Sequence, residues 1–592
     1  MLCCIPLFLF IGPEVVPVKF AKSLHLHAAL VFICVSVSYY SAIFAPFISI
    51  DDLRLIHNLQ NIDDFTFKQL FFPNGSGTYY RPLLYLTFII DKYLWGLEAS
   101  FMHLENILLH LGNSLFVLLL ARLLFATLSI EAPLSALAAA LLFGLHPLAT
   151  EPVNWVSGRT DLLAGFFVLA ALFLFIKSIC TSSFRYGLFS ALLLFAGCLS
   201  KETALFAIPV LLLWTAFPPR EIFPEFSLKL RCFLFGLFTA AGCGYLLLRW
   251  WALHGGDRVV QGVHNIETTL HDGSANRTID VVLTVVKAAG FYFKKLLFPL
   301  PLNFGIHTVS SHYFWLGLLV VAGVVWCLLR RGIIAYLLIA AFMLTSSAFI
   351  LPLLKVTWTP YAERYLYIAA APFILAITLA FHTCFTRMVP LRLTTALVVI
   401  ILGSAAMVTV QRNLVWLDNY TLFKDTIEKS PGVGAIVNEY AVALRERGEI
   451  EKADKIMLSN EVDEFQQSSL NKIRVLTING QLMEARTLLL QRLNKNTEYK
   501  PILLELLVTI DESRRVKAAQ ESEQQAIDRE LLGTMNELQA LTGDPFYHYR
   551  IGRLQLVLKN RSEAKSSFLK AWQGSPPNSH YHDAAKKLAE RL

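Results

Sequence analysis

Charge is what this chain has least of. Only 16% of its 592 residues are Asp, Glu, Lys or Arg, against 55% hydrophobic, where a soluble globular chain carries about a quarter charged residues. That shortage excludes an ordinary soluble protein and points to a membrane. Cysteine is present but forms no pattern. The nine cysteines stop at Cys384, nearly all lie in or beside apolar runs, and none has metal-type spacing. Neither a disulfide framework nor a metal centre is expected, and only Cys3-Cys4 sits where a lipid could be attached. The chain also lacks a basic stripe interleaved with aromatics, and its net charge is a modest +8. Nucleic acid is therefore not an expected partner.

What fills the chain instead is a series of apolar runs ending at Val410. Crossing a bilayer takes about twenty apolar residues, which predicts about eleven spans. They lie near 28–47, 102–125, 133–147, 162–178, 185–199, 203–217, 232–251, 313–329, 333–352, 366–384 and 391–410. The segment Val281 to Pro301 is expected to lie at the membrane surface, because Lys287, Lys294 and Lys295 interrupt it. Residues 1–27 read as an N-terminal segment, either a mis-assigned start or a surface stretch. Their apolar run of about ten residues is too short to span and lacks a basic flank.

The Lys/Arg bias sets orientation. Short connections carrying Arg122, Lys177 with Arg185, Arg220 with Lys229 and Arg231, Arg330-Arg331, and Arg387 with Arg392 read as cytoplasmic. The alternate connections, 48–101, 148–161, 200–202, 252–312 and 353–365, then face outward. An odd number of spans puts the tail 411–592 outside as well. The expected location is a multi-pass protein of a bacterial inner membrane with the tail in the periplasm; in a eukaryote the tail would lie in the ER lumen.

The tail is helical in pattern and repeats. Gly448 precedes Ala453 as Gly480 precedes Ala485, 32 residues on, close to the tetratricopeptide period of about 34. A third copy has Lys559 in the small-residue place before Ala564, and 500–545 would hold a degenerate repeat. The expected domains are thus a membrane domain, 28–410, and a repeat domain, 411–592.

The outward connections hold polar residues that a purely structural bundle does not need. They are Asp51-Asp52, Asp63-Asp64, Tyr79-Tyr80-Arg81-Pro82, the run from His146-Pro147 through Glu151 and Trp155 to Gly158-Arg159-Thr-Asp161, Ser200-Lys201-Glu202, and Trp358 to Tyr361 with Glu363-Arg364-Tyr365. Singly, each has a bland reading. The acidic pair caps a helix, Pro147 ends one, Lys201-Glu202 bridge across a wet break, and Glu363-Arg364 anchor an interface. Together on one side of a membrane, they are expected to face a cavity and to pair with something.

These residues, with Leu104-Glu-Asn106-Ile-Leu-Leu-His110, resemble the transmembrane-and-tetratricopeptide-repeat O-mannosyltransferase family, especially its bacterial relatives within the GT-C glycosyltransferase superfamily. The resemblance implies an all-α fold: a polytopic GT-C helix bundle followed by a tetratricopeptide-like α-solenoid. It implies a polyprenyl-phosphate sugar donor, with membrane lipid around it, and transfer to an acceptor hydroxyl of a protein or envelope glycan on the outer side. No cofactor is implied. The family's catalytic acidic residue falls on Asp51 and Asp52, without separating them.

The residue types suit that chemistry. A carboxylate can take the acceptor proton, and the departing phosphate needs positive charge, best from Arg. Arg159, Lys201 and Arg364 are the candidates, with Arg81 next; His146, Glu151, Asp161, Glu202 and Glu363 support them. A single displacement inverts the anomeric centre. The competing readings are a non-catalytic anchor for the repeat scaffold and a lipid-linked-sugar transporter. No pair of corresponding broken helices favours the transporter.

Overall fold

Apolar length dictates the first part of the structure. Among the described residues, eight helices are long and apolar enough to cross a membrane: Ser23–Phe44, Ala99–Thr127, Val156–Cys180, Leu228–Leu253, Tyr313–Arg330, Ile333–Leu354, Glu363–Phe385 and Arg392–Val415. Pro133–Gly144 and Pro147–Asn154 make a ninth if taken as one span bent by 42°. The bend falls at His146-Pro147, where proline removes a backbone donor and restrains the residue before it. Phe184–Ser200 and Glu202–Ala216 are apolar but shorter, separated by the extended residue Lys201. All eleven expected runs are therefore helical, while eight or nine meet the requirement for a span.

This computed structural model describes residues 18–592 apart from 61–66, 72–78, 220, 223–225, 254–274, 331, 355–356, 358, 386–388, 432, 460–466, 495–499, 576–578 and 580. Cys3-Cys4, Asp63-Asp64, Arg220, Arg331, Trp358 and Arg387 lie outside the described residues. Among those described, the chain is all-helical save for an isolated antiparallel bridge between Ile306 and Tyr361. It divides into two compact units, one ending at Tyr440 and the other running from Ala441 to Leu592.

Ala275–Leu297, expected at the membrane surface, is not among the spans and packs its second half into the protein: Ala288, Ala289, Phe291 and Tyr292 are buried and Lys295 is only 3% exposed, while Ile279, Val282 and Leu283 stay exposed. Its partner is Tyr313–Arg330, and the approach is too close for side chains. A Cβ on Gly290 would stand 2.6 Å from the Gly317 amide nitrogen. Small residues admit such backbone contact between membrane helices. Lys295 is neutralised by Glu363 and by the carbonyl of Pro299, so its charge serves the bundle, not the water boundary.

Polar knots fasten the remaining helices. The Tyr367 hydroxyl lies 2.8 Å from His110 Nδ1 and from the Asn113 amide, and His110 Nε2 meets the Gly144 carbonyl at 3.0 Å. Arg392–Val415, mostly turned toward its surroundings, is held near its end by Asn413. That side chain accepts from Asn154 at 2.6 Å and donates to the Ser38 carbonyl at 2.8 Å.

In the second unit the helices from Ile450–Ser459 to His582–Arg591 each pack on the next in sequence. The three expected repeat turns share one geometry. Gly448, Gly480 and Lys559 all take positive φ, at 79°, 79° and 66°. In each, the next amide reaches back five residues: Glu449 to Leu444, Gln481 to Leu476 and Asn560 to Gln555, at 2.8–2.9 Å. This is the hydrogen bond of a left-handed helix cap. Ala453, Ala485 and Ala564 are fully buried, where small side chains let helices approach. The degenerate segment forms two longer helices, Lys500–Lys517 and Glu521–Thr542.

Candidate active site

Asp52 opens the helix Asp52–Gln60 and is completely buried. One carboxylate oxygen accepts from the Ile48 amide at 3.0 Å. The other accepts from the Ser157 amide at 2.9 Å and the Ser157 hydroxyl at 2.5 Å. Burial pushes its pKa up to about 6, against the pull of those donors. Asp52 thus pins the first loop to the turn Val156–Gly158. That turn is tight enough to require glycine, since a Cβ on Gly158 would come within 2.7 Å of the Pro152 carbonyl. Asp51, one residue earlier, is exposed and turned the other way.

It faces a cavity of about 650 Å³. Four of the five connections expected on the outward side converge there: Arg81 from the first, Asp161 from the second, Lys201 and Glu202 from the break, Arg364 from the last. Arg81 forks onto Glu202, with Nε 2.9 Å from Oε2, and Lys201 Nζ lies 2.6 Å from Asp161 Oδ1. Arg364 is set from behind by Glu151, which takes both its guanidinium and its backbone amide, the latter at 3.0 Å. Its other terminal nitrogen donates to Thr359 at 3.0 Å. Apolar walls, including Leu205, Phe206, Leu246, Ile350 and Leu351, continue the cavity away from this charged end.

Four of the other expected residues stand behind the cavity lining. Arg159 is 1% exposed, and its guanidinium is taken up by protein: Asp91 at 2.6 Å, Glu105 at 3.0 Å, Asn106 at 3.1 Å and the Met102 carbonyl at 3.1 Å. Such a buried, multiply bonded ion joins helices. His146 accepts from the Leu148 amide at 3.3 Å, capping the helical turn after the bend. Glu151 serves Arg364. Glu363 receives Lys295 and the Asn303 amide, so it positions the segment next to Arg364.

The sequence reading missed Arg249. It lines the same cavity from Leu228–Leu253, with Nη1 3.1 Å from the Tyr245 hydroxyl. A cation near the end of an apolar span, before Trp250-Trp251, is the signal that would have found it. With Arg249 included, the lining carries four cations against three carboxylates, Asp51, Asp161 and Glu202. Glu151, behind Arg364, balances the fourth cation, so what suits an anion is the clustering of the donors, not a net charge. Among the described residues no three His, Cys, Asp or Glu side chains come together as a metal-binding group.

No family model matches the chain. It is similar to human protein O-mannosyl-transferase TMTC4, 43% identical over 105 residues, which is 16% of this chain and 14% of that protein. Mouse TMTC3 is 32% identical over 158 residues, 25% of this chain and 16% of that protein. Drosophila melanogaster Tmtc3 is 33% identical over 168 residues, 24% and 18% respectively. The chain thus spans less than a fifth of the length of the curated relatives it matches. Over these stretches the chain is similar to protein O-mannosyl-transferases.

Proposed function

We propose that this chain is a membrane glycosyltransferase that moves a sugar from a polyprenyl-phosphate carrier to an acceptor hydroxyl on the periplasmic or lumenal face. The observation that carries the reading is the cavity itself. A cluster of four cations and three carboxylates, Asp51 among them, ends in apolar walls, as an anionic headgroup on a hydrocarbon chain requires. The kinship with O-mannosyl-transferases supports the same reaction class.

In this reading Asp51 is the base and Asp52 the post that holds it. Asp51 takes the acceptor proton as the hydroxyl oxygen bonds to the anomeric carbon. The bond from that carbon to the phosphate oxygen breaks on the opposite side, inverting the centre. Arg81, Lys201, Arg249 and Arg364 receive the phosphate charge. Arg81, Lys201 and Arg364 are each held in place by a carboxylate before the donor arrives. The repeat unit would serve the acceptor, since stacked helical hairpins offer extended binding surfaces.

Purified protein in nanodiscs tests this. Asp51→Asn is expected to abolish transfer from a polyprenyl-phosphate sugar while donor binding persists. Arg249→Ala is expected to weaken donor binding. Full transfer by Asp51→Asn would remove the base assignment, and no transfer by the parent chain would favour a membrane-anchored scaffold.

A further inference from the structure

A second cavity lies within the membrane part, away from the charged one. It measures about 410 Å³, inside the range of about 300–1,000 Å³ typical of ligand sites. Its walls come from Ala275–Leu297, Tyr313–Arg330, Ile333–Leu354 and Tyr367–Phe385, and they are almost wholly apolar. Along Tyr313–Arg330 the lining runs from Leu316 to Cys327, about 16 Å at 1.5 Å per residue. The space is therefore long and narrow. At Gly317 this helix touches the backbone of its neighbour, yet six residues on a Cβ at Gly323 would meet nothing within 4 Å. The helix is also the least covered of the spans together with Arg392–Val415, so the groove lies beside bilayer lipid.

We propose that this groove binds one hydrocarbon chain of an anionic bilayer phospholipid, with the headgroup at Arg330. Two observations choose that occupant. Arg330 lies 5.3 Å over the ring of Trp326, which itself lines the groove, so a cation and an amphipathic aromatic stand together at its end. The sugar donor's own tail is excluded by helix faces. The groove uses Leu338, Phe342, Thr345 and Phe349 of Ile333–Leu354, whereas the charged cavity uses Ser347, Ile350, Leu351 and Leu354. At 3.6 residues per turn these sets occupy different faces of one helix, so a chain leaving the charged cavity runs down the other side. The groove also reaches the site indirectly. Tyr292 lines it, and the Tyr292 hydroxyl accepts from the Ala362 amide at 3.3 Å, two residues before Arg364. An occupied groove therefore braces Tyr292 from the membrane side.

The test does not depend on the glycosyltransferase reading. Native mass spectrometry of the full chain from nanodiscs containing phosphatidylglycerol and phosphatidylcholine is expected to show one retained phosphatidylglycerol. Gly323→Phe points a ring into open space and is expected to lower that retention about tenfold, equivalent to about 1.4 kcal/mol, with unchanged thermal stability. Arg330→Gln is expected to leave a retained lipid but to erase the preference for phosphatidylglycerol. Undiminished retention in Gly323→Phe overturns the site; absence of any retained lipid in the parent chain does so too. An unchanged headgroup preference in Arg330→Gln overturns the headgroup assignment.

Discussion

Asp51 and Asp52 are chemically identical neighbours with opposite environments. Folding gives Asp52 three donors and no water, and leaves Asp51 at the cavity. Burial outweighs the donors, so the carboxyl of Asp52 releases its proton near pH 6 in place of the usual 3.8. A raised carboxyl pKa means that the native state binds the proton more tightly than the unfolded chain does. The contribution of Asp52 is therefore full below about pH 4 and is lost as pH rises through about 6, by about 3 kcal/mol in total. Thermal unfolding in detergent is expected to show that decline between about pH 4 and 6, and Asp52→Asn is expected to flatten it. An equal slope in the variant would mean that another group titrates there.

Among the elements, the repeat turns show what a sequence pattern can and cannot convey. Glycine five residues before a buried alanine identified two of them, because only glycine enters the left-handed region without cost. The third was legible from Ala564 and the spacing alone, for Lys559 adopts the same φ with a side chain that opposes it. Lys559→Gly is thus expected to stabilise the chain by about 0.5–1 kcal/mol, after the entropy that glycine adds to the unfolded state. Differential scanning fluorimetry reads this directly; a lower midpoint would contradict it. The spans were legible for a similar reason, since hydrophobic length is local information. The burial of Lys295 was not legible, because its partner Glu363 lies far along the chain. Arg159 looked like a ligand for the same cause. Its partners Asp91 and Glu105 lie on other helices, and nothing in the local pattern pairs them.

At the scale of the molecule, four of the five connections assigned to one side by charge bias meet at one cavity, and 252–312 supplies none of its lining. Asp51, Arg81, Asp161, Lys201 and Arg364 come from four separate stretches and meet there. The roles inside the cavity were less legible, because which member of a charged pair faces the space depends on packing. The same bias carries a prediction about the bilayer. Reporter fusions after Arg185 are expected to report the cytoplasm, and fusions after Leu592 the opposite side. A cytoplasmic signal at Leu592 would separate the repeat unit from any acceptor at the outer face.

The bond from Arg364 to Glu151 joins residues 213 positions apart, and that interval is also a delay. A ribosome has made the bent helix pair long before it reaches the arginine that completes it. During that time a carboxylate sits at the edge of the membrane with its fixed partner still unsynthesised, a state that costs several kcal/mol if it is desolvated. The part from Glu151 to Arg364 should therefore mature as one piece, with Pro133–Gly144 and Pro147–Asn154 kept in a wet or chaperoned setting until residue 364 emerges. In a pulse-chase experiment, chains stopped after Leu354 are expected to turn over faster than chains stopped after Phe385, and Glu151→Gln is expected to narrow that difference. Equal lifetimes for all of them would show that the unfinished chain finds another partner for its charge. In the order of synthesis, Arg364 is the member of the pair that comes last, and the lifetime of the unfinished chain measures the wait for it.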